Sequence, residues 1–564
     1  MAGFVFKLFT ALLESPFPGR LLALKVLRDS GVTSFTKKSF TEDPTILPLH
    51  LNAVSPKGAA RSLVSFRKVA TRKTAAHSPA DPFHYVTIDD YAAAYREGLT
   101  TPLETAEKLI ALVTESNSGE KPLQAVIKMD TEDLLSQARA SADRFKRGKP
   151  LGILDGVPIA VKDEIDQRGY TTSVGTSFLG QNEAAEDAEP VRRLREQGAL
   201  LFGKTNMHEI GIGVTGLNPH FGVVRNPHNV DRYTGGSSSG SAAAVAAGLC
   251  PGAVGADGGG SIRIPAALCG VTGLKPTYAR VSERGAAPLC WSVAHVGPIA
   301  ATVRDTAILY SIMAGADTEM EVSTLQPEVD LLGTSKKGLD GIRLGYYPEW
   351  FYDCDREIHA LMNRTLESLE DSGAEVVKIE IPELEEMRVA QLISIVSEMA
   401  TAMNPYYGRH RKDFGLDTRV NLAIGRRLTN IDYLQAQRMR TRAIDIFNTV
   451  LSDVDAVITP MTAVPAPLIP SDALPAGESN LPMLSDIMRY AAMGNLTGLP
   501  ALSVPAGFTP DKLPMGIQIM GRAWEESLLL RIAMNLEKGV KPLKPEVYLS
   551  PMERILQGRA LQEV

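Results

Sequence analysis

The chain is poor in cysteine, histidine and aromatic residues, and it lacks a long hydrophobic run. Its 564 residues include 4 Cys, 9 His and 6% aromatic side chains. The cysteines have no metal-ligand or redox spacing, so we expect a reducing compartment, no disulfide framework and no metal site. No apolar stretch approaches the roughly 20 residues that span a bilayer, which argues against a transmembrane helix.

Charge is unevenly distributed along the chain. Residues 1–80 carry 12 Lys and Arg against 4 Asp and Glu, whereas the net charge of the whole chain is −6. The rest of the chain therefore has a net charge of −14. An acidic body of this kind argues against nucleic acid as the main partner.

The N-terminus predicts two short amphipathic helices within residues 1–30. Residues 4–13 and 21–27 are apolar but contain lysine, and Pro16 separates them. Phe and Leu beside Lys and Arg are typical of helices that lie in the membrane interface. Packing on the protein body, or on a second protomer of a homodimer, is the alternative. The basic residues 54–73 also leave an organelle transit peptide open.

The remaining chain divides into a connector at 31–84, one catalytic domain at 85–545 and a C-terminal tail at 546–564. Within the domain, Thr101 and Glu104 predict a capped helix start. Helical patterns alternate with apolar strand candidates at 157–161, 199–202, 341–346, 375–381, 455–460, 501–505 and 516–521. This alternation predicts an α/β fold on a mixed, mostly buried β-sheet.

Three glycine patterns match known motifs but fail on context. Residues 198–205 satisfy the phosphate-loop pattern, but a helical segment precedes them and their central residues are typical of a strand. Residues 211–216 match a dinucleotide fingerprint, but Pro219 prevents the helix that must follow. Residues 236–240 match the nucleophile elbow of α/β-hydrolases and make Ser238 a rival nucleophile. That mechanism needs a downstream histidine, and none lies in an obvious catalytic loop.

The main chemical signal lies in residues 233–276. Two serine-glycine turns stand 24 residues apart, at Ser237 and Ser261, and each leads into a small-residue apolar segment. Upstream, Lys162 closes the apolar run 157–161. A serine on a glycine turn is accessible, and burial lowers the pKa of a lysine so that it can act as a base. The pattern predicts acyl transfer without histidine.

These segments closely resemble the amidase signature family. The match rests on GGSSSGSAAAVAAG (235–248), DGGGSIRIPAALCGVTGLKP (257–276) and VPIAVKD (157–163). It extends from about residue 85 to about residue 540 and includes 203–211, 225–229, 455–462 and 514–522. The resemblance implies an α/β fold with a large, mixed, twisted β-sheet covered by helices on both faces. Within the family, the triple serine and residues 257–261, 382–388 and 6–16 look most like the plant-type fatty acid amide hydrolases.

The resemblance assigns three catalytic roles. It implies that Ser261 is the nucleophile, that Ser237 is a bridging serine held by a cis peptide, and that Lys162 is the base. Physical chemistry supports these three roles, because a serine hydroxyl is a weak nucleophile until a nearby base takes its proton. Ser237 would relay the proton between Lys162 and Ser261, and later deliver it to the departing amine.

The resemblance also implies an oxyanion hole and supporting contacts. The hole would be formed by backbone N–H groups of Gly258, Gly259, Gly260 and Ser261, which converge on the carbonyl oxygen. Asp257 and Arg263 are expected to form an ion pair that supports the loop. Thr234 and Ser239 are expected to form hydrogen bonds within the turns.

The narrower resemblance implies a substrate. It indicates cleavage of long-chain N-acylethanolamines to a fatty acid and ethanolamine, with no metal or cofactor. The expected location is the cytosolic face of the endoplasmic reticulum or plasma membrane. Candidate acyl-channel residues, chosen because flexible apolar side chains suit alkyl chains, are Met207, Ile212, Met461, Met493 and Met520. The glutaminase subunit of a tRNA-dependent amidotransferase, a general small-amide amidase and a catalytically silent membrane scaffold remain alternatives.

Overall fold

The computed structural model describes residues 1–50, 83–474 and 477–560. Its α-helices are α1 (Gly3–Leu13), α2 (Pro16–Asp29), α3 (Val32–Phe35), α4 (Ile88–Glu97), α5 (Pro102–Ser116), α6 (Thr131–Lys146), α7 (Glu189–Glu196), α8 (Ser239–Ala246), α9 (Arg263–Cys269), α10 (Val303–Met313), α11 (Pro348–Phe351), α12 (Arg356–Asp371), α13 (Leu384–Ala402), α14 (Asn404–His410), α15 (Leu416–Gly425), α16 (Asn430–Asp453), α17 (Leu481–Met488), α18 (Ala492–Thr497), α19 (Glu526–Glu537) and α20 (Pro551–Ala560). Short 3-10 helices span Glu209–Gly211, Glu321–Leu325, Leu332–Ser335 and Ser471–Ala473.

The strands are β1 (Val126–Lys128), β2 (Pro158–Lys162), β3 (Leu200–Thr205), β4 (Leu217–Asn218), β5 (Gly222–Val223), β6 (Arg225–Asn226), β7 (Asn229–Tyr233), β8 (Gly252–Ala256), β9 (Thr272–Lys275), β10 (Val296–Ala300), β11 (Arg343–Tyr346), β12 (Glu375–Lys378), β13 (Ala456–Pro460), β14 (Ala501–Phe508) and β15 (Pro514–Gly521). An 11-stranded sheet has the order β1-β3-β2-β8-β10-β9-β14-β15-β13-β11-β12. β2 pairs in parallel with β3 and β8, whereas β10 is antiparallel to β8 and β9. The predicted mixed α/β fold is confirmed.

Helices cover both faces of the sheet. In β2, Ile159 and Val161 enter one buried cluster with residues of α7, α10 and α19, whereas Ala160 enters another with residues of α5, α8 and α9. Because side chains alternate along a strand, these clusters lie on opposite faces. At the other end of the sheet, Val457 and Met520 pack in a third cluster with α13, α16 and α18.

The predicted capped start at residues 100–104 is confirmed. Thr101 is the N-cap of α5, and its hydroxyl accepts a hydrogen bond from the N–H of Glu104 at 3.1 Å. The Glu104 carboxylate in turn accepts from the Thr101 N–H at 2.9 Å. This reciprocal pair satisfies two amides that the helix itself leaves unbonded.

The two N-terminal helices pack on the body with one side and expose apolar residues on the other. Phe6, Leu13 and Ala23 are buried, and Glu14 at the end of α1 pairs with Arg419 of α15 at 2.6 Å. The opposite side, which we name the N-terminal apolar surface, consists of Phe4, Val5, Leu8, Leu12, Phe17, Leu21 and Leu24. Among the described helices, none is both long and apolar enough to cross a membrane.

Most of the predicted connector 31–84, including the basic residues 54–73, lies outside the described residues. Its first part, 31–50, is bound to the body, because Phe35 and Phe40 are buried and the His50 ring bonds the Thr497 carbonyl at 2.8 Å. The predicted tail 546–564 contains α20, which packs on α5. Residues 31–50 and α20 therefore belong to the folded body in this structure.

Candidate active site

Lys162 is the last residue of β2, and its side chain is fully buried. Ala160 packs against α8 and α9, so the alternation of the strand directs Lys162 to the same face of the sheet. Burial lowers the pKa of Lys162 below its ordinary value, because the ammonium form loses its hydration. The Glu164 carboxylate, 3.3 Å from Lys162 Nζ, acts in the opposite direction.

Ser237 lies next to this lysine. Lys162 Nζ donates to Ser237 Oγ at 2.9 Å and to the Ala256 carbonyl at 3.2 Å. The Gly236–Ser237 peptide bond is cis. The N–H of His208 donates to the Ser237 carbonyl at 3.2 Å, which ties the turn before α8 to the segment that follows β3.

Ser261 lies in the turn between β8 and α9 and is buried. The N–H of Ser238 donates to the Ser261 carbonyl at 3.2 Å, so the backbones of the two serine turns touch. Among the described residues, none forms a hydrogen bond with the Ser261 hydroxyl. The structure therefore joins Lys162 to Ser237 by a hydrogen bond and brings Ser261 beside them, but it does not close the contact between the two hydroxyls.

Ser238, the rival nucleophile, is held by β8. Its hydroxyl donates to the Ala256 carbonyl at 3.0 Å and accepts from the Ala256 N–H at 3.3 Å, and the residue is fully buried. No histidine in the described part of the chain bonds this hydroxyl. These contacts favour a structural role for Ser238.

Among the described residues, three of the four amides of the loop 258–261 have no hydrogen-bond acceptor and one is bonded. The Gly260 N–H donates to Asp257 Oδ1 at 2.6 Å. The N–H groups of Gly258, Gly259 and Ser261 have no hydrogen-bond acceptor among the described residues. The expectation that all four residues 258–261 supply donors to an oxyanion is therefore corrected, since the Gly260 amide already serves the loop.

The expected ion pair between Asp257 and Arg263 is present and completely buried, with Arg263 Nε 2.9 Å from Asp257 Oδ2. Burial alone would raise the pKa of Asp257, but the Arg263 guanidinium overcomes it and holds that pKa well below its ordinary value. Asn495 donates to the Asp257 carbonyl at 2.9 Å, and Arg263 donates to Gln518 at 2.5 Å. Asn495 and Gln518 are not among the predicted site residues, because no local sequence pattern links them to this loop.

The two remaining support residues behave differently. Thr234 Oγ1 donates to the adjacent Gly235 carbonyl at 2.9 Å, within its turn as expected. Ser239 Oγ instead donates to the Asn206 carbonyl at 3.4 Å, so it ties the start of α8 to a different segment. The expectation of a bond within the turn was wrong for Ser239.

Burial alone does not distinguish Lys162, because Lys204 and Lys275 are also fully buried. Burial lowers the pKa of Lys204 to about 8, and its Nζ donates to the Ile165 carbonyl and to Thr172. Lys275 Nζ donates to the Leu499 carbonyl at 2.6 Å. Of these three lysines, Lys162 alone donates to a serine hydroxyl.

The phosphate-loop match at 198–205 fails in the structure as predicted. Gly198, with φ of +86°, follows the end of α7, and its N–H donates to the Arg195 carbonyl at 2.9 Å. β3 begins at Leu200 and contains Lys204. A phosphate loop requires the opposite order, with a strand before the first glycine and a helix after the lysine.

The five candidate channel residues do not line one cavity. Met207 and Ile212 share one cluster, Met461 lies in a second, and Met493 and Met520 lie in a third. A cavity of about 150 Å³ lies between the N-terminal helices and the body, and its apolar wall includes Phe9, Val26, Leu27, Ile212, Ile393 and Val420. Ile212 is thus the one candidate on this wall, and the four methionines are packed core residues.

His208 connects this cavity to the serine turns. Its ring lies on the cavity wall and is 2.6 Å from the Asp417 carboxylate on α15. Its backbone N–H is the donor to the Ser237 carbonyl described above. His208 therefore lines the apolar cavity and also bonds the backbone of the Ser237 turn.

Comparisons with known proteins agree with the geometry. The family model described as Amidase matches residues 108–530. A fatty acid amide hydrolase of Oryza sativa subsp. indica is 41% identical over 561 residues, which covers 95% of this chain and 92% of the relative. One subunit of the glutamyl-tRNA(Gln) amidotransferase of Coxiella burnetii (strain Dugway 5J108-111) is 35% identical over 481 residues, which covers 81% of this chain and 97% of the relative.

Solved structures give the same fold. A bacterial aryl acylamidase belonging to the amidase signature enzymes superposes with a TM-score of 0.73 at 26% identity. The match covers 84% of this chain and 98% of that structure.

Proposed function

This chain belongs to the amidase family and hydrolyses amide bonds, and from this we propose that its substrates are long-chain fatty acid amides. The proposed catalytic mechanism rests on the 2.9 Å hydrogen bond from the buried Lys162 Nζ to Ser237 Oγ. A neutral lysine at this position can accept a proton from the serine hydroxyl, and its lowered pKa increases the neutral fraction.

In the proposed reaction, Ser261 attacks the amide carbonyl. Neutral Lys162 takes the proton of Ser237 while Ser237 takes the proton of Ser261, so that the Ser261 oxygen is free to form the bond to carbon. The tetrahedral intermediate collapses when the C–N bond breaks, and the proton returns through Ser237 to the departing amine. Water then attacks the acyl carbon while Ser237 and Lys162 take its proton. The bond between the acyl carbon and the Ser261 oxygen breaks as that proton returns to the oxygen, and the fatty acid is released.

The negative charge of the intermediate needs donors that are in place before the reaction. We propose the N–H groups of Gly258, Gly259 and Ser261, because they have no other acceptor among the described residues. The Asp257–Arg263 pair supports the loop that carries them. The Asp257 carboxylate of this buried pair accepts the Gly260 N–H, so the loop does not have to reorganise when negative charge develops on the intermediate.

The cavity beside the N-terminal helices supports an acyl chain as the recognised group. Its apolar wall is formed by the helices α1, α2, α13 and α15, and His208 links it to the Ser237 turn. The similarity to the rice fatty acid amide hydrolase, over 95% of this chain, points to the same substrate class. We propose N-acylethanolamines, cleaved to a fatty acid and ethanolamine, as the specific substrates.

The N-terminal apolar surface supports peripheral contact with a membrane. Phe4 and Phe17 are 78% and 76% exposed on adjacent helices. An exposed apolar surface of this kind binds to a partner or a membrane that removes it from water. A membrane is also where a lipid substrate is found. The free cysteines favour the cytosolic face of the endoplasmic reticulum or plasma membrane. A homodimer contact through the same surface is the competing explanation.

One assay separates the substrate classes. The purified full chain is incubated separately with a long-chain N-acylethanolamine, with glutamine and with a small aryl amide, and the released acid or ammonia is quantified. We expect fatty acid release with kcat/KM at least about tenfold above that for the aryl amide. Release of ammonia from glutamine without fatty acid from the lipid would instead favour the amidotransferase glutaminase.

A further inference from the structure

A glutamine far from the serine turns contacts the glycine loop. Gln391 lies on α13, and its Nε2 donates to the Gly258 carbonyl at 2.7 Å across 133 residues of sequence. The residue is buried, and its Oε1 has no hydrogen-bond partner in the described part of the chain. The bond to Gly258 is thus the one described hydrogen bond that compensates the burial of this amide.

The direction of this bond fixes the orientation of a peptide group. The Gly258–Gly259 peptide is trans, so its C=O and N–H point in opposite directions. A donor on α13 that holds the Gly258 carbonyl therefore turns the Gly259 N–H away from α13. That N–H is one of the three amides of the loop 258–261 that have no acceptor among the described residues.

The loop needs such an external contact. Glycine on both sides of the peptide leaves its orientation weakly determined, because glycine adopts many backbone conformations at little cost. The Gly260 N–H is held by Asp257, but this bond fixes the next peptide, not the one between Gly258 and Gly259. Ile395, one turn further along α13, packs against Gly258 and Gly259 but offers no polar group.

We propose that Gln391 is a positioning residue, which orients the Gly258–Gly259 peptide so that the Gly259 N–H is available to the oxyanion. The inference rests on the proposed function, since it assumes that Ser261 reacts through a tetrahedral intermediate at this loop. It predicts a role in the transition state and none in holding the unreacted substrate. A flipped peptide would present a carbonyl oxygen where a donor is needed.

The test compares two buried glutamines of equal size. Gln391→Met keeps the shape of the side chain but loses the donor. Gln437→Met is the matched control, because Gln437 on α16 is also buried, donates to Ser394 of α13 at 2.9 Å, and has an Oε1 without a described partner. Gln391→Leu is the second variant, since its side chain has a similar volume and no polar atom.

We expect Gln391→Met and Gln391→Leu to lower kcat by about 10- to 100-fold with KM within about threefold. Binding of a long-chain trifluoromethyl ketone, which forms a tetrahedral oxyanion on the serine, should weaken by a similar factor. Binding of the corresponding fatty acid should not change. Gln437→Met should alter none of these, and thermal unfolding should report any loss of folded protein in the variants.

Two outcomes would overturn the inference. One is a kcat for both Gln391 variants equal to that of Gln437→Met, and the other is a raised KM with unchanged kcat. Labelling of Ser261 by a fluorophosphonate separates this inference from the proposed function. Wild-type labelling without lipid turnover would reject the lipid substrate, and the labelling rate of the Gln391 variants, expected to fall at least about tenfold, would still decide the role of Gln391.

Discussion

Glu164 Oε2 lies 3.3 Å from Lys162 Nζ, and the Glu164 side chain is only 10% exposed. The carboxylate stabilises the ammonium form of the lysine, whereas burial destabilises it, and the net effect is a pKa of Lys162 below its ordinary value. Burial and the Glu164 carboxylate therefore act on the pKa of Lys162 in opposite directions. The effect of the carboxylate is the weaker of the two, and it can be removed by mutation.

Glu164→Gln should move the acid limb of the pH profile to lower pH. Removal of the carboxylate lowers the pKa of Lys162 further, so the amine stays neutral, and able to accept a proton, at more acidic pH. The dependence of kcat/KM on pH measures this shift. Glu196→Gln, an exposed carboxylate on α7, is the control and should leave the limb in place. A limb that moves to higher pH would contradict the assignment of Lys162 as the base.

Lys162→Ala should lower kcat/KM by about 10²- to 10⁴-fold, because Lys162 is the one described side chain that hydrogen-bonds to the Ser237 hydroxyl. The loss should be greatest at low pH, where weaker substitute bases are protonated. Lys204→Met removes another buried lysine that donates to no serine, and its activity per folded molecule should remain near that of the wild type. An unchanged rate for Lys162→Ala would remove the lysine from the mechanism.

Ser261→Ala should abolish labelling by a fluorophosphonate, because the variant lacks the attacking oxygen. Ser238→Ala should retain labelling, since the Ser238 hydroxyl is already bonded to both backbone groups of Ala256. Gel-based detection of the labelled protein gives the result directly. Labelling that survives in Ser261→Ala and disappears in Ser238→Ala would restore the nucleophile-elbow interpretation.

Arg263→Met should lower the free energy of unfolding by about 3–5 kcal/mol, because it leaves the Asp257 carboxylate buried without its cation. The wild-type pKa of Asp257 is held well below its ordinary value, so the pair stabilises the fold above the unfolded-state pKa, and this contribution is lost as the pH falls toward the folded-state pKa. Urea unfolding at several pH values should show the variant approaching the wild type in acid. Arg343→Met at the exposed pair with Glu375 should have little effect.

Phe4→Glu combined with Phe17→Glu should weaken binding to anionic phospholipid vesicles by at least about tenfold, because each exposed aromatic side chain contributes about 1.5–3 kcal/mol when it leaves water. Co-sedimentation measures the binding. Ile431→Glu, at a position on α16 that is 66% exposed and lies outside the N-terminal apolar surface, is the control. Substitution is preferable to deletion, since α1 also buries Phe6 and Leu13 in the body. A variant that keeps vesicle binding but converts a dimer to a monomer would assign the surface to a dimer interface.

The predicted strands agree with the structure where the sequence contains apolar side chains typical of strands. Residues 157–161, 455–460 and 516–521 are rich in Val, Ile and Met, and they form β2, β13 and β15. Strands β8, β9 and β10, which occupy the middle of the sheet, are not among the predicted strands. These strands contain Gly, Ala and Pro, which have low strand propensity and show little alternation. Their small residues permit close packing, since a Cβ at Gly255 would lie 3.1 Å from the Ile262 side chain.

What the sequence by itself determined about this protein is the local chemistry, namely two serines on glycine turns, a lysine at the end of an apolar strand and helices with their caps. These follow from contacts within a few residues and from the resemblance to one family. Only the tertiary structure decided which glycine amides remain free, that Glu164 touches the lysine, and that Gln391 and Asn495 hold the loop. Those contacts join positions up to 238 residues apart, and a hydrogen bond requires a distance that no local pattern specifies.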